Sequence, residues 1–141
     1  MLDEAEYERW RHAGADALAA ARVQAEAGFH HWTCFLAEQS AQLVVKGLLH
    51  GIGAGAWGHD LVELGVAWSQ ALGEVVRTDV AAALQRLSRH YIPARYPDAH
   101  PSGSPGAHYG PTDSAQALAD AVLVAAEVGS AWEELVAEAS G

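Results

Sequence analysis

His31-Trp32-Thr33-Cys34-Phe35-Leu36-Ala37-Glu38-Gln39-Ser40-Ala41-Gln42-Leu43-Val44-Val45-Lys46-Gly47-Leu48-Leu49-His50 is the stretch on which the fold turns. Trp32, Phe35, Leu36, Leu43 and Leu48 supply an apolar side at helical spacing. Glu38, Gln42, Lys46 and His50 fall four residues apart and form a polar ladder on another side. The pattern predicts a long helix over His31 to His50. It stops where Gly51-Ile52-Gly53-Ala54-Gly55-Ala56-Trp57-Gly58 begins, because glycine-rich chain loses too much entropy to stay helical.

The same period recurs on both sides. From Glu4 to Ala27, Tyr7, Trp10, Gly14, Ala17 and Ala21 alternate three and four apart, with Gly28 as the stop. A shorter helix is expected over Asp60 to Leu72, ending at Gly73. Another is expected over Glu74 to Tyr91, with a seam of Val76, Val80, Leu84, Leu87 and Tyr91 and with Arg86 and Arg89 projecting elsewhere. All five prolines lie between Pro93 and Pro111, which predicts a long non-helical loop. The last helix starts after Pro111, with Asp113 as N-cap and Gln116 three residues on. Leu118, Val122, Ala125, Gly129, Trp132 and Val136 form its seam. No strand candidate remains. The expectation is an all-α, antiparallel up-and-down bundle of four long helices plus a short one, with a Pro-rich loop before the last helix, as one domain over 1–141.

Composition bounds the function. The chain has 141 residues, half of them hydrophobic, enough for a packed core. One cysteine cannot close an internal disulfide, which suits a reducing, cytoplasmic setting. No apolar run reaches the roughly 18 residues a membrane helix needs. The acidic, amphipathic Met1 to Arg11 stretch does not read as a secretory signal. The formal net charge of −10 argues against loose binding to duplex DNA.

Against that background, residues Arg86 to Tyr109 form a basic, aromatic island. Arg86, Arg89 and Arg95 face a single acid, Asp98, and His90, His100, His108, Tyr91, Tyr96 and Tyr109 are interleaved. Arginine forks match phosphate oxygens and aromatic faces stack on bases. Arg95 and His100 make an Arg-x4-His pair, in which an imidazole moves a proton and a guanidinium steadies a phosphate. The bland reading is a loop folded back on the bundle, its arginines paired with helix acids. The eight histidines show no recognised metal-ligand spacing, so no metal and no cofactor are expected. Cys34, mid-helix beside Trp32 and Phe35, reads as a buried inert thiol.

Four ordered blocks resemble the HEPN family (higher eukaryote and prokaryote nucleotide-binding). Trp10, Ala13, Asp16, Leu18 and Ala21 resemble its first helix. Phe35 to Gln42, followed by Lys46-Gly47-Leu48-Leu49, resembles its second. His59-Asp60-Leu61 with Leu64 resembles the entry to its short helix. Tyr91-Ile92-Pro93-Ala94-Arg95-Tyr96-Pro97-Asp98 is similar to the signature of one prokaryotic branch.

The resemblance implies a homodimer acting on or binding RNA or nucleotide. One reading is a metal-independent ribonuclease toxin, paired with a minimal nucleotidyltransferase, in which Arg95 and His100 are catalytic. The alternative is a non-catalytic nucleotide-binding or adaptor subunit that partners a nucleotidyltransferase. Arg-x4-His favours the first; Tyr96, where active relatives carry a small polar residue, and the prolines around the motif favour the second. Arg86, Arg89, Tyr96 and Lys46 are the expected RNA- or nucleotide-binding residues. Apolar surplus, including Trp57 and Trp68, adds weight to the dimer.

Overall fold

The computed structural model describes residues 1–141. Five α-helices follow in order: α1 (Glu4–Glu26), α2 (His30–Gly51), α3 (Leu61–Leu72), α4 (Thr78–Ser88) and α5 (Pro111–Ser140). There is no strand, so the all-helical bundle forms as the periodicity requires. Two single-turn 3-10 helices, Pro97–Ala99 and Pro105–His108, interrupt the proline-rich connection. Each starts on a proline, whose fixed φ suits a first helical position where no donor is needed.

Three element bounds differ from expectation. The fourth helix begins at Thr78 rather than Glu74, because Gly73 closes α3 in the left-handed region at φ 69° and the chain must redirect. It ends at Ser88 rather than Tyr91, because Pro93 disfavours helix for the residue before it. Three helices are therefore long and two short. At α5, Asp113 is not the N-cap. Pro111 occupies the first helical position, and the Asp113 carboxylate reaches back to accept from the Gly110 N–H at 2.8 Å.

Helix α2 is the axis of the domain; α1, α3, α4 and α5 all pack on it. Its core side is Ala37, Ala41, Val44, Val45, Leu48 and Leu49, all buried. Small residues let α1 approach closely. A Cβ on Gly47 would stand 2.8 Å from Trp10 Cβ, and one on Gly14 would stand 2.6 Å from Val44 Cγ1. Two α2 hydroxyls bond carbonyls of α1: Ser40 to Gly14 at 2.8 Å and Thr33 to Ala21 at 3.1 Å. Trp132 of α5 stacks on Tyr7 of α1 at 4.0 Å and covers Gly51 at the end of α2.

Two readings of individual residues need correction. Trp68, counted as apolar surplus, is buried in the core, whereas Trp57 is 91 % exposed. The polar side of α2, read apart from its apolar one, is itself enclosed at Glu38 and Gln42, which are both buried among the neighbouring helices.

A Cβ on Gly51 would meet Trp132 at 2.6 Å. Gly51→Val must displace the Trp132–Tyr7 stack, at a cost of about 1–3 kcal/mol. A fall in urea midpoint of that size at constant m-value is the expected result.

Candidate anion-binding platform and its buried carboxylate

After α4 the chain turns through residues 89–95, and this turn places Arg95 against α2. The Arg95 Nε–H donates to the Tyr91 carbonyl at 2.8 Å, which fixes the base of the guanidinium. Its central carbon lies 4.5 Å from the Phe35 ring centre, 4.6 Å from that of Tyr91 and 5.0 Å from that of Tyr96. Arg95 takes part in none of the ion pairs of the structure. Aromatic faces support such a cation by roughly 0.5–2 kcal/mol each while leaving its edge available to an anion.

Behind the platform lies Glu38, fully buried on α2. Its carboxylate accepts from the Gln42 side-chain amide and from that of Gln39, the latter at 3.0 Å. Burial pushes its pKa up to about 7; the two amides, then Arg95 and Lys46, pull the other way. Gln42 in turn contacts His59, with Oε1 3.2 Å from the imidazole Nδ1. The His59 ring stacks on Tyr91 with centres 5.4 Å apart and planes 15° apart. Tyr91 thus touches both Arg95 and His59. His59, Asp60, Ser88, Tyr91, Ile92 and Pro93 line an open depression of about 420 Å³.

The family pattern of the HEPN domain matches residues 7–134. The chain belongs to the HEPN family. Among solved structures it is similar to TT1696 from Thermus thermophilus, at 32 % identity and a TM-score of 0.79, over 88 % of this chain and 96 % of that one. It is similar to ST0689, an archaeal HEPN homologue, at 27 % identity and a TM-score of 0.75, over 88 % and 95 %. The fold is shared with TM0613, a HEPN domain protein of Thermotoga maritima, at 23 % identity and a TM-score of 0.67, over 89 % and 98 %. No curated protein matches the chain.

Within this HEPN domain the expected site residues separate. Arg95 and Tyr96 come together on the platform. Lys46, half-buried two turns beyond Glu38 on the same helix, acts on it electrostatically; burial lowers its pKa and Glu38 raises it. Arg89 is exposed just past the end of α4. Arg86 is held elsewhere: its fork grips the buried Asp120 of α5 at 2.8 and 3.0 Å, so it ties α4 to α5. No hydrogen bond or ring stacking joins His100 to Arg95. Its Nε2 lies 2.6 Å from the Pro93 carbonyl and so donates a proton there, while its ring stacks on His108 at 4.2 Å. Cys34 is buried, and burial pushes its thiol up to about 12. No helix is long and apolar enough to cross a membrane.

Glu38, His59 and Phe35 were missed as site residues, and Tyr91 was singled out only as part of the aromatic island. Glu38 and Gln42 carried the only local signal, an i, i+4 polar pair on an otherwise apolar helix; His59 joins them only through the tertiary fold.

A carboxyl whose pKa is raised in the folded state stabilises the protein below its unfolded value, and that contribution fades as pH rises through the folded value. For Glu38 the window runs from 4.5 to about 7. Glu38→Gln should flatten the loss of stability across that window by up to about 3 kcal/mol. Urea midpoints of both proteins against pH read this directly, and parallel curves would remove Glu38 as the titrating group.

Proposed function

We propose that this HEPN domain binds the phosphate of RNA or a nucleotide on the Arg95 platform, with Tyr96 as a stacking face and Arg89 and Lys46 adding positive field. One observation carries the reading: Arg95 is an arginine without a carboxylate partner, braced by three aromatic rings. Arg86, already neutralised by Asp120, drops out of the proposed site. Titration with nucleotides and short RNA at low and high salt should show salt-sensitive binding. Arg95→Ala should weaken it by about 10- to 100-fold, the value of a hydrogen bond to a charged group. Binding unchanged by that substitution would exclude Arg95.

The unit proposed is a homodimer, with a minimal nucleotidyltransferase as its protein partner. Support for a contact beside the platform comes from Trp32, Ile92 and Tyr96, apolar or aromatic side chains 41 %, 47 % and 46 % exposed. Light scattering at concentrations on the order of tens of micromolar, where a contact of ordinary strength persists, should give twice the chain mass.

A ribonuclease reading is favoured by one detail. His100 uses only Nε2 in its bond to Pro93, which leaves Nδ1 to exchange a proton with a substrate. The 2′-OH would give its proton to His100 Nδ1 and attack the phosphorus, and the 5′-oxygen would leave as a hydroxyl by taking up a proton, giving a 2′,3′-cyclic phosphate, with Arg95 of either protomer on the phosphate. His100→Ala should then slow cleavage in EDTA by about 10²- to 10⁴-fold while the dimer persists. Arg95-dependent binding without any cleavage would leave the non-catalytic subunit.

A further inference from the structure

The proton on His59 is assigned by its neighbours. When Glu38 is ionised it can only accept hydrogen bonds, so the NH2 end of the Gln42 amide must face it. The carbonyl end of Gln42 then faces His59 Nδ1 at 3.2 Å. A carbonyl cannot donate, so Nδ1 must carry the proton. In the neutral imidazole, Nε2 is left as a lone-pair acceptor. Stacking on Tyr91 fixes the ring plane, and His59 is exposed on the rim of the open depression beside Tyr91. A buried carboxylate and a buried amide together orient one surface histidine.

We propose that the Glu38–Gln42–His59 chain is a ribose-recognition element: His59 Nε2 accepts a hydrogen bond from the 2′-hydroxyl of a ribonucleotide whose phosphate is held by Arg95. Tyr91 joins the two halves, since it touches both the imidazole and the guanidinium. A ligand that satisfies them must offer both an anion and a hydrogen-bond donor such as a hydroxyl, reaching the two residues that share Tyr91. A ribonucleotide carries both; its 2′-deoxy analogue keeps the 3′-hydroxyl but lacks the 2′-hydroxyl assigned to His59. His59 is thus a specificity residue, and Glu38 and Gln42 are positioning residues. The inference rests on nucleotide binding at Arg95.

Two readouts on the intact protein test it. Nitrogen-15 NMR at about pH 8, where imidazole is ordinarily neutral, should show His59 protonated on Nδ1, with the assignment made by loss of the signal in His59→Ala. A His59 protonated on Nε2 overturns the proposal. Calorimetric titration with ribonucleoside monophosphates and their 2′-deoxy counterparts is the second. The wild type should prefer the ribose form by roughly 2- to 10-fold, the net value of one hydrogen bond. His59→Ala, a change at an exposed position, should bring that ratio to about 1 while Arg95-dependent binding of the deoxy form persists. Equal binding of both forms by the wild type overturns ribose recognition and leaves the Arg95 platform standing. Absence of binding by either form overturns the platform, and ribose recognition with it.

Discussion

Everything in this domain depends on enclosing α2. A helix packed on by four others leaves little of its surface to water, so most side chains on it must suit a neighbour. Against α1 the solution is smallness: Gly14 and Gly47 let the two backbones approach, and Ser40 and Thr33 use their hydroxyls on α1 carbonyls. Against α5 it is aromatic closure, with Trp132 lying over Gly51 and stacking on Tyr7. The seam of α1 reads as weakly amphipathic because its partner needs space more than it needs grease.

The same enclosure makes the polar residues of α2 informative. Glu38 sits where a leucine would be more stable, since removing a carboxylate from water costs several kcal/mol unless it is hydrogen-bonded. It is hydrogen-bonded, but to two amides and not to a cation, and no buried polar side-chain atom is left unpartnered. Amides satisfy a carboxylate without cancelling its charge. The field of Glu38 therefore still reaches Arg95 and Lys46, which pull its pKa down from the value that burial alone would set. A direct Glu38–Arg95 pair would have consumed the cation on which the proposed anion binding depends.

How far the sequence carries can be judged residue by residue. The long helices were legible because an apolar seam at three-four spacing has few alternatives. The start of α4 was not: Val75 and Val76 extend the period backwards, yet Gly73 has already turned the chain. Trp68 looked surplus because a sequence does not say how many helices will surround a short one. Arg95 and Tyr96 stood out by composition, as one cationic and aromatic island in an acidic chain. Glu38 reads only as one rung of a polar ladder, because whether a helix face meets water is decided by other helices. His59 carries its meaning only through Gln42, 17 residues earlier, and no local spacing encodes that contact.

The arginines of this acidic protein are not equivalent, and the difference underlies the proposed anion site. Arg9, Arg11, Arg77 and Arg86 each hold a carboxylate, and their charges cancel locally. Arg95 does not, and ionic screening over about 8–10 Å separates its surroundings from the net charge of the rest. Availability alone does not make a binding site, since Arg22 and Arg89 are also outside the ion pairs and both are exposed. What sets Arg95 apart is that the Tyr91 carbonyl and three rings already hold its side chain. An exposed arginine must lose about 2 kcal/mol of side-chain freedom to grip a phosphate. Here folding has removed much of that freedom beforehand. In a chain of net charge −10, one ordered guanidinium is thus the basis of the proposed anion site.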